Sequence, residues 1–125
     1  MKPERQNQVI AELCGWKDIR RPSDDSYHNL ATDILGGLMG RVAGIRPGES
    51  DHEPLPNYHG DLNACAKMEN HVLSDADTGY EYDCTLNEVC GCWEDGIMNY
   101  MKLWHASASQ RCEAFLRVHG KWEEA

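Results

Sequence analysis

Apolar residues recur every three or four positions in four stretches of this 125-residue chain, the spacing that places them on one face of a helix. The stretches predict helices over residues 3–14, 61–73, 76–90 and 107–119. The last stretch has the clearest ends, because Ser107 and Gln110 match a capping box and Gly120 matches a left-handed stop. Gly15 supplies the same kind of stop for the first helix. For the second helix the pattern predicts a buried face of Leu62, Cys65, Ala66, Val72 and Leu73.

Short apolar and aromatic runs predict the strands. Residues 97–105 form the strongest candidate and are apolar enough to be buried on both faces, whereas residues 16–20 form a weaker one. Residues 22–57 are interrupted by prolines and glycines, which predicts loops with one short hairpin or strand. Together the elements predict one domain over residues 1–125 that mixes helices and strands.

The charge is strongly acidic and unevenly spread. The chain carries 12 basic and 21 acidic side chains, a formal net charge of −9. Residues 1–50 are balanced, so residues 51–125 carry the whole excess, and no lysine or arginine lies between Lys67 and Lys102. Duplex nucleic acid and anionic membranes both attract basic surfaces, so the charge argues against either as a direct partner. The choice between a monomer and a homo-oligomer stays open.

The cysteines and the first residues indicate the cellular compartment. The chain starts without the apolar run of a signal peptide, and no stretch reaches the roughly 20 apolar residues of a membrane span. We therefore expect a cytoplasmic protein whose six cysteines are free thiols. Cys14, Cys65 and Cys112 lie on predicted apolar helix faces, which places them in the core.

An acidic run begins where the third helix is predicted to begin. Its alternating carboxylates invite comparison with a calcium loop, but the glycine falls at the fifth position and a leucine at the twelfth, where such loops need Gly at six and Glu at twelve. A solvated helix face is the favoured interpretation. The alternative is a partner-binding face that imitates a phosphate backbone, made of Asp75, Asp77, Glu81 and Asp83.

No complete catalytic or metal-binding set is evident. Cys90 and Cys92 are one residue too close for the usual zinc or redox spacing, and His105 adds only a third candidate ligand. The pattern of a nucleophile elbow is absent. His59 and Asp61 form the one His-Asp pair, and Asp61 also suits a helix start. We therefore expect no cofactor, no metal and no catalytic residue.

Two features favour an anion site. The glycine-rich residues 36–40 precede Arg41, and Arg46 follows, so that flexible backbone lies beside two guanidinium groups. The start of the last helix offers free N–H groups and hydroxyls, and a tryptophan is available to stack on a base. An ordinary capped helix is the alternative there. The ligand-binding candidates are Arg41, Arg46, Trp104, His105, Ser107, Ser109 and Arg111.

Residues 56–69 and 105–123, with the opening residues 10–16, resemble the phage ABA sandwich domain family, small proteins of bacteriophages and prophages. The resemblance covers about half of the chain. It implies an α/β (α+β) fold in which a small sheet is flanked by helices in a compact sandwich. It also implies a phage accessory protein made in the bacterial cytoplasm.

Three functional hypotheses follow. The first is a non-catalytic protein that counters host antiviral defence by binding and sequestering a small anionic nucleotide signal, as a molecular sponge. The second is an acidic inhibitor that docks on a basic host protein as a nucleic-acid mimic, in the manner of an anti-CRISPR protein. The third is a hydrolase of such a signal that uses His59, Asp61 or His105.

Overall fold

A computed structural model describes residues 1–25, 27 and 40–124. These residues form five helices and two small antiparallel sheets, so the predicted mixed α and β fold class is confirmed. Residues 36–39 of the predicted anion loop, which include Gly36 and Gly37, lie outside the described residues. In chain order the elements are α1 (Pro3–Leu13), β1 (Lys17–Arg20), β2 (Ala43–Ile45), β3 (His52–Pro54), α2 (Leu62–Leu73), α3 (Ala76–Cys90), β4 (Trp93–Glu94), β5 (Ile97–Met98), α4 (Tyr100–Trp104) and α5 (Ala108–Val118).

Helix α5 occupies the centre of the core and packs against α1, α2 and α3. Its Phe115 and Leu116 are completely buried, as are Ile10 of α1 and Met68 of α2. Removing each of these side chains from water stabilises the fold by roughly 1.5–3 kcal/mol. The core therefore joins helices from both ends of the chain and from its middle.

The ends of α5 confirm the predicted signals. The Ser107 hydroxyl accepts a hydrogen bond from the Gln110 N–H at 3.1 Å, and the Gln110 side chain accepts one from the Ser107 N–H at 2.8 Å. Gly120 follows the helix with φ 68°, and Gly15 follows α1 with φ 94°. Positive φ values of this size strain residues with a Cβ atom, so both glycines are needed where the chain leaves a helix.

The three-stranded sheet has the order β1-β2-β3 and lies beside α1. It confirms the strand predicted at residues 16–20, and its β2–β3 pair agrees with the short hairpin or strand expected within residues 22–57. Gly44 lies in the middle strand, where a Cβ atom would come within 3.1 Å of side-chain atoms of both Ile19 and Leu55. The absence of a side chain at this position therefore lets the sheet approach the core closely.

The strand predicted over residues 97–105 is wrong. Only Ile97–Met98 is a strand, paired with Trp93–Glu94, and Asn99 then starts the short helix α4 by accepting a hydrogen bond from the Met101 N–H at 3.1 Å. The side chains are not buried either, since Ile97 is 71% exposed and Trp104 is 69% exposed. An apolar run this short fits a strand and a helix equally well, and the Asn99 cap decides between them.

The buried face predicted for α2 is partly wrong. Cys65 and Val72 are buried as expected, but Leu62, Ala66 and Leu73 are exposed. The positions that complete the inward face are Ala64 and Met68. Residues 64, 68 and 72 are spaced by four, so they follow one side of the helix, and this side meets the core.

We expect Ser107→Ala to lower the free energy of unfolding by about 1 kcal/mol, because it removes the acceptor that caps α5. Ser109→Ala is the matched control, since Ser109 is exposed in the same helix turn, and its effect should stay within about 0.5 kcal/mol. Urea unfolding followed by circular dichroism measures both. Equal losses in the two variants would show that the cap does not stabilise α5.

Candidate functional site

The two arginines of the predicted anion loop lie apart from the other candidates. Arg41 donates a hydrogen bond to the Leu55 carbonyl at 3.2 Å and lines a cavity of about 480 Å³ beside Glu4 of α1. Arg46 pairs with Glu53 at 2.6 Å, and its guanidinium carbon lies 5.3 Å from the centre of the Trp16 ring. Arg46 is therefore already neutralised within the chain.

The candidates at the start of α5 are mostly engaged in structural roles. The Ser107 hydroxyl caps the helix, Ser109 is exposed in its first turn, and His105 is the exposed C-cap of α4. Arg111 and Trp104 line a groove that is different from the Arg41 cavity. The structure thus distributes the seven predicted ligand-binding residues over at least two separate surfaces.

The groove that contains Arg111, here called the Arg111 groove, is the best-built polar site among the described residues. Its volume is about 400 Å³. Helices α2, α3, α4 and α5 all contribute to its wall, so only the folded chain creates it. Its lining residues are Glu69, Leu73, Gly79, Tyr82, Asp83, Leu86, Leu103, Trp104 and Arg111.

A hydrogen-bonded triad forms the polar part of this groove. The Tyr82 hydroxyl and the Arg111 guanidinium donate to the same carboxylate oxygen of Glu69, Oε2, at 2.8 Å and 2.9 Å. Arg111 also donates to the Ala106 carbonyl at 3.1 Å. Burial and the adjacent Glu69 carboxylate raise the pKa of Tyr82 far above its usual value, so the phenol stays protonated and remains a donor. The triad links α2, α3 and α5.

An aromatic patch adjoins the Arg111 groove. Ile97, Tyr100, Met101 and Trp104 line a shallow concavity of about 570 Å³, and Trp93 lies on the adjoining hairpin. All five side chains are more than half exposed. Trp104 belongs to both concavities. The patch and the Arg111 groove are therefore neighbouring parts of one surface.

The four acidic residues predicted as a partner-binding face have different roles. Asp75 is the N-cap of α3, and the Thr78 hydroxyl and the Asp77 N–H hold the pKa of its carboxyl below its usual value. Asp83 lines the Arg111 groove. Asp77 and Glu81 are one helical turn apart and lie on another side of α3 from Asp83, because each residue advances by about 100°. All four are exposed, but they do not form one face.

The cysteines do not assemble a metal site in the described part of the chain. Groups of three or more metal-ligating side chains are absent from these residues. Cys92 is fully buried in the turn after α3, whereas His105 is exposed. Cys65 and Cys112 are fully buried, and the hydrogen bond between their thiols together with burial raises the pKa of Cys112. Both thiols therefore serve as core residues, as predicted.

The residues of the hydrolase hypothesis have structural roles. Asp61 caps α2, accepting a hydrogen bond from the Asn63 N–H at 2.9 Å. The backbone N–H of His59 donates to the Asn7 side chain at 2.9 Å. His105 is the C-cap of α4, which comes much later in the chain than His59 and Asp61. The hydrolase hypothesis gains no geometric support from these contacts.

The sequence predicts Arg111 and Trp104 as site residues, but it does not predict Glu69 and Tyr82 or the exposure of Tyr100. Glu69 and Tyr82 lie 42 and 29 positions before Arg111, so local spacing carried no sign of their contact. The strand predicted over residues 97–105 places Tyr100 and Trp104 in the core, whereas both are exposed. Asn99, a preferred N-cap residue, is the sequence signal that favours a helix at this position.

Comparison with known proteins adds no relative: no family model, no curated protein and no solved structure matches this chain. The resemblance to the phage ABA sandwich domain family therefore stays a prediction. Within the described residues, no helix has the length and apolar character that crossing a bilayer requires.

We expect Arg111→Gln to lower the free energy of unfolding by about 1–3 kcal/mol, because it leaves the Glu69 carboxylate poorly compensated where only about 20% of it is exposed. Arg117→Gln is the matched control on the same helix. Arg117 pairs with Glu113 and Glu124 but is 40% exposed, so its loss should cost about 0.5 kcal/mol or less. Urea unfolding of both variants measures the difference, and equal effects would contradict it.

Proposed function

We propose that this chain is a binding protein whose aromatic patch and surrounding acidic surface dock on a basic surface of a partner protein. The exposure of the patch carries the proposal. Trp93, Ile97, Tyr100, Met101 and Trp104 lie within twelve residues, and each is at least 55% exposed. Clustered exposed apolar side chains mark interaction sites far more often than inert surface.

The residue types of the patch favour a protein partner. Tryptophan, tyrosine and methionine are enriched at the centres of protein interfaces, and tryptophan and tyrosine contribute most often to binding energy. These side chains line a concavity, into which side chains of a partner can pack. Leaving these side chains in water in the free protein costs stability that burial by a partner would recover.

The charge around the patch favours a basic partner. No lysine or arginine lies between residues 68 and 101, and the charged residues that line the concavity at the patch, Glu94 and Asp95, are both acidic. Lys102 of α4 pairs with Glu94, and Asp95 forms no ion pair with a described residue. A surface of one sign speeds the encounter with an oppositely charged partner and repels competitors of like charge.

The proposal includes a biological setting. The protein acts in the bacterial cytoplasm as a phage product, and it inhibits a host protein by occupying a surface that otherwise binds nucleic acid. The acidic charge and the resemblance stated above support this setting. The predicted anion-binding residues lie on at least two separate surfaces. This separation favours the protein-docking hypothesis over the sponge hypothesis.

Capture from a bacterial lysate on the immobilised protein tests the docking. We expect a basic protein to be retained, and about tenfold less of it on the double variant Trp93→Ser/Tyr100→Ser, because interface aromatics carry a large share of binding energy. The control is Tyr80→Ser, a tyrosine outside the patch that is also more than half exposed. Mass spectrometry of the eluates quantifies retention.

Salt provides the second arm of this test. Raising the salt from about 0.1 M to 1 M shortens the Debye length from about 10 Å to 3 Å and should release the retained protein. The docking proposal is overturned if the retained protein is acidic, if nothing is retained above a blank resin, or if Tyr80→Ser reduces retention as much as the patch variant.

Nucleotide binding is the second candidate, and the cavity beside Arg41 favours it. That cavity also contains the amide side chains of Asn7 and Asn57, which suit a nucleobase, although Glu4 opposes an anion there. We expect calorimetry at micromolar protein to show no heat with cyclic dinucleotides or ADP-ribose. Binding heat that the wild type shows and Arg41→Gln loses would favour nucleotide binding over protein docking.

A further inference from the structure

The Arg111 groove carries a net negative charge. Glu69 and Asp83 face a single cation, Arg111, within the lining of the groove. Both hydrogen bonds of Glu69 fall on Oε2, so Oε1 accepts none from a described residue. Asp83 is exposed and forms no ion pair with any described residue. The groove therefore retains acceptor capacity for one more cation.

The remaining wall of the groove is apolar and partly open to solvent. Leu73 is 63% exposed and Trp104 is 69% exposed, and Leu103 lies between buried and exposed. A long aliphatic stem can pack against such side chains while its charged end reaches a carboxylate. This combination excludes an anionic ligand and favours a long cationic side chain.

Two of the four tryptophans of this chain already stack with an arginine side chain. Arg46 lies over Trp16, and Arg117 lies over Trp122, with guanidinium carbons 5.3 Å and 5.2 Å from the ring centres. Trp93 and Trp104 are the other two tryptophans, and no described cation lies over either ring. The Trp104 ring is thus available to a guanidinium group from outside the chain.

We propose that the Arg111 groove receives an arginine side chain of the partner protein, with the guanidinium between Asp83 and Glu69 and against the Trp104 ring. This proposal rests on the proposed docking function and names the residue that the partner inserts. Arginine fits better than lysine because its planar group donates to two carboxylates at once and stacks on an indole. The stem packs on Leu73 and Leu103.

A capped arginine, acetyl-arginine-methylamide, tests the groove without the partner. Titrated into the ¹⁵N-labelled protein at millimolar concentration, it should shift the Trp104 indole N–H signal to saturation. We expect Asp83→Asn to weaken this binding about fivefold or more, because it removes a charge-assisted hydrogen bond. Trp104→Leu, which keeps an apolar wall but removes the ring, should weaken it as well.

The matched controls separate the groove from general charge attraction. Asp77→Asn makes the same change in net charge on the same helix, away from the groove, and should leave the affinity unchanged. Acetyl-citrulline-methylamide has nearly the same shape without the charge and should not bind. Equal weakening by Asp77→Asn and Asp83→Asn, equal binding of citrulline, or the absence of saturable shifts at Trp104 would overturn the proposal.

The outcome is distinguishable from failure of the docking function. If the lysate partner is retained equally by wild type and Asp83→Asn, and the arginine probe does not bind, the groove proposal is overturned while docking through the patch stands. If the probe binds with the predicted variant pattern and no protein is captured, the arginine site is supported and the docking function is overturned.

Discussion

The burial of α5 is the constraint on which the rest of the structure depends. Phe115, Leu116 and Cys112 are fully enclosed, and the enclosure comes from helices that lie far apart in the chain. The buried side chains of this helix are all apolar, so its polar side chains lie outside the enclosed part. Arg111 lies at its edge, where the Ala106 carbonyl and the Glu69 carboxylate accept its hydrogen bonds. The position of the Arg111–Glu69 ion pair in the groove thus depends on how the core packs.

The same packing explains why the segment from Trp93 to Trp104 remains outside. Helices α1, α2 and α3 pack around α5, whereas the β4–β5 hairpin and α4 leave most of their large apolar side chains exposed. Asp95 and Gly96, both with positive φ, close this hairpin tightly. The result is a small unit that displays aromatic side chains on the surface.

Local signals in the sequence predicted most of the regular structure. Each of the five described helices has a capping residue or a stop glycine that acts within a few positions, and helical periodicity predicts four of them. The predictions of burial were wrong where they relied on apolar character alone. Leu62 and Leu73 look like core residues on α2, yet the side of that helix that meets α5 is the one with Ala64 and Met68. Which side faces inward depends on the neighbours.

The sequence by itself determined the helix ends, the mixed fold class and the acidic character of residues 51–125, because these depend on neighbouring residues and on composition. Only the tertiary structure decided that Glu69, Tyr82 and Arg111 meet, and that Asp83 and Trp104 border them. Contacts between residues tens of positions apart arise when helices pack around a shared core. No local pattern in the sequence specifies that geometry.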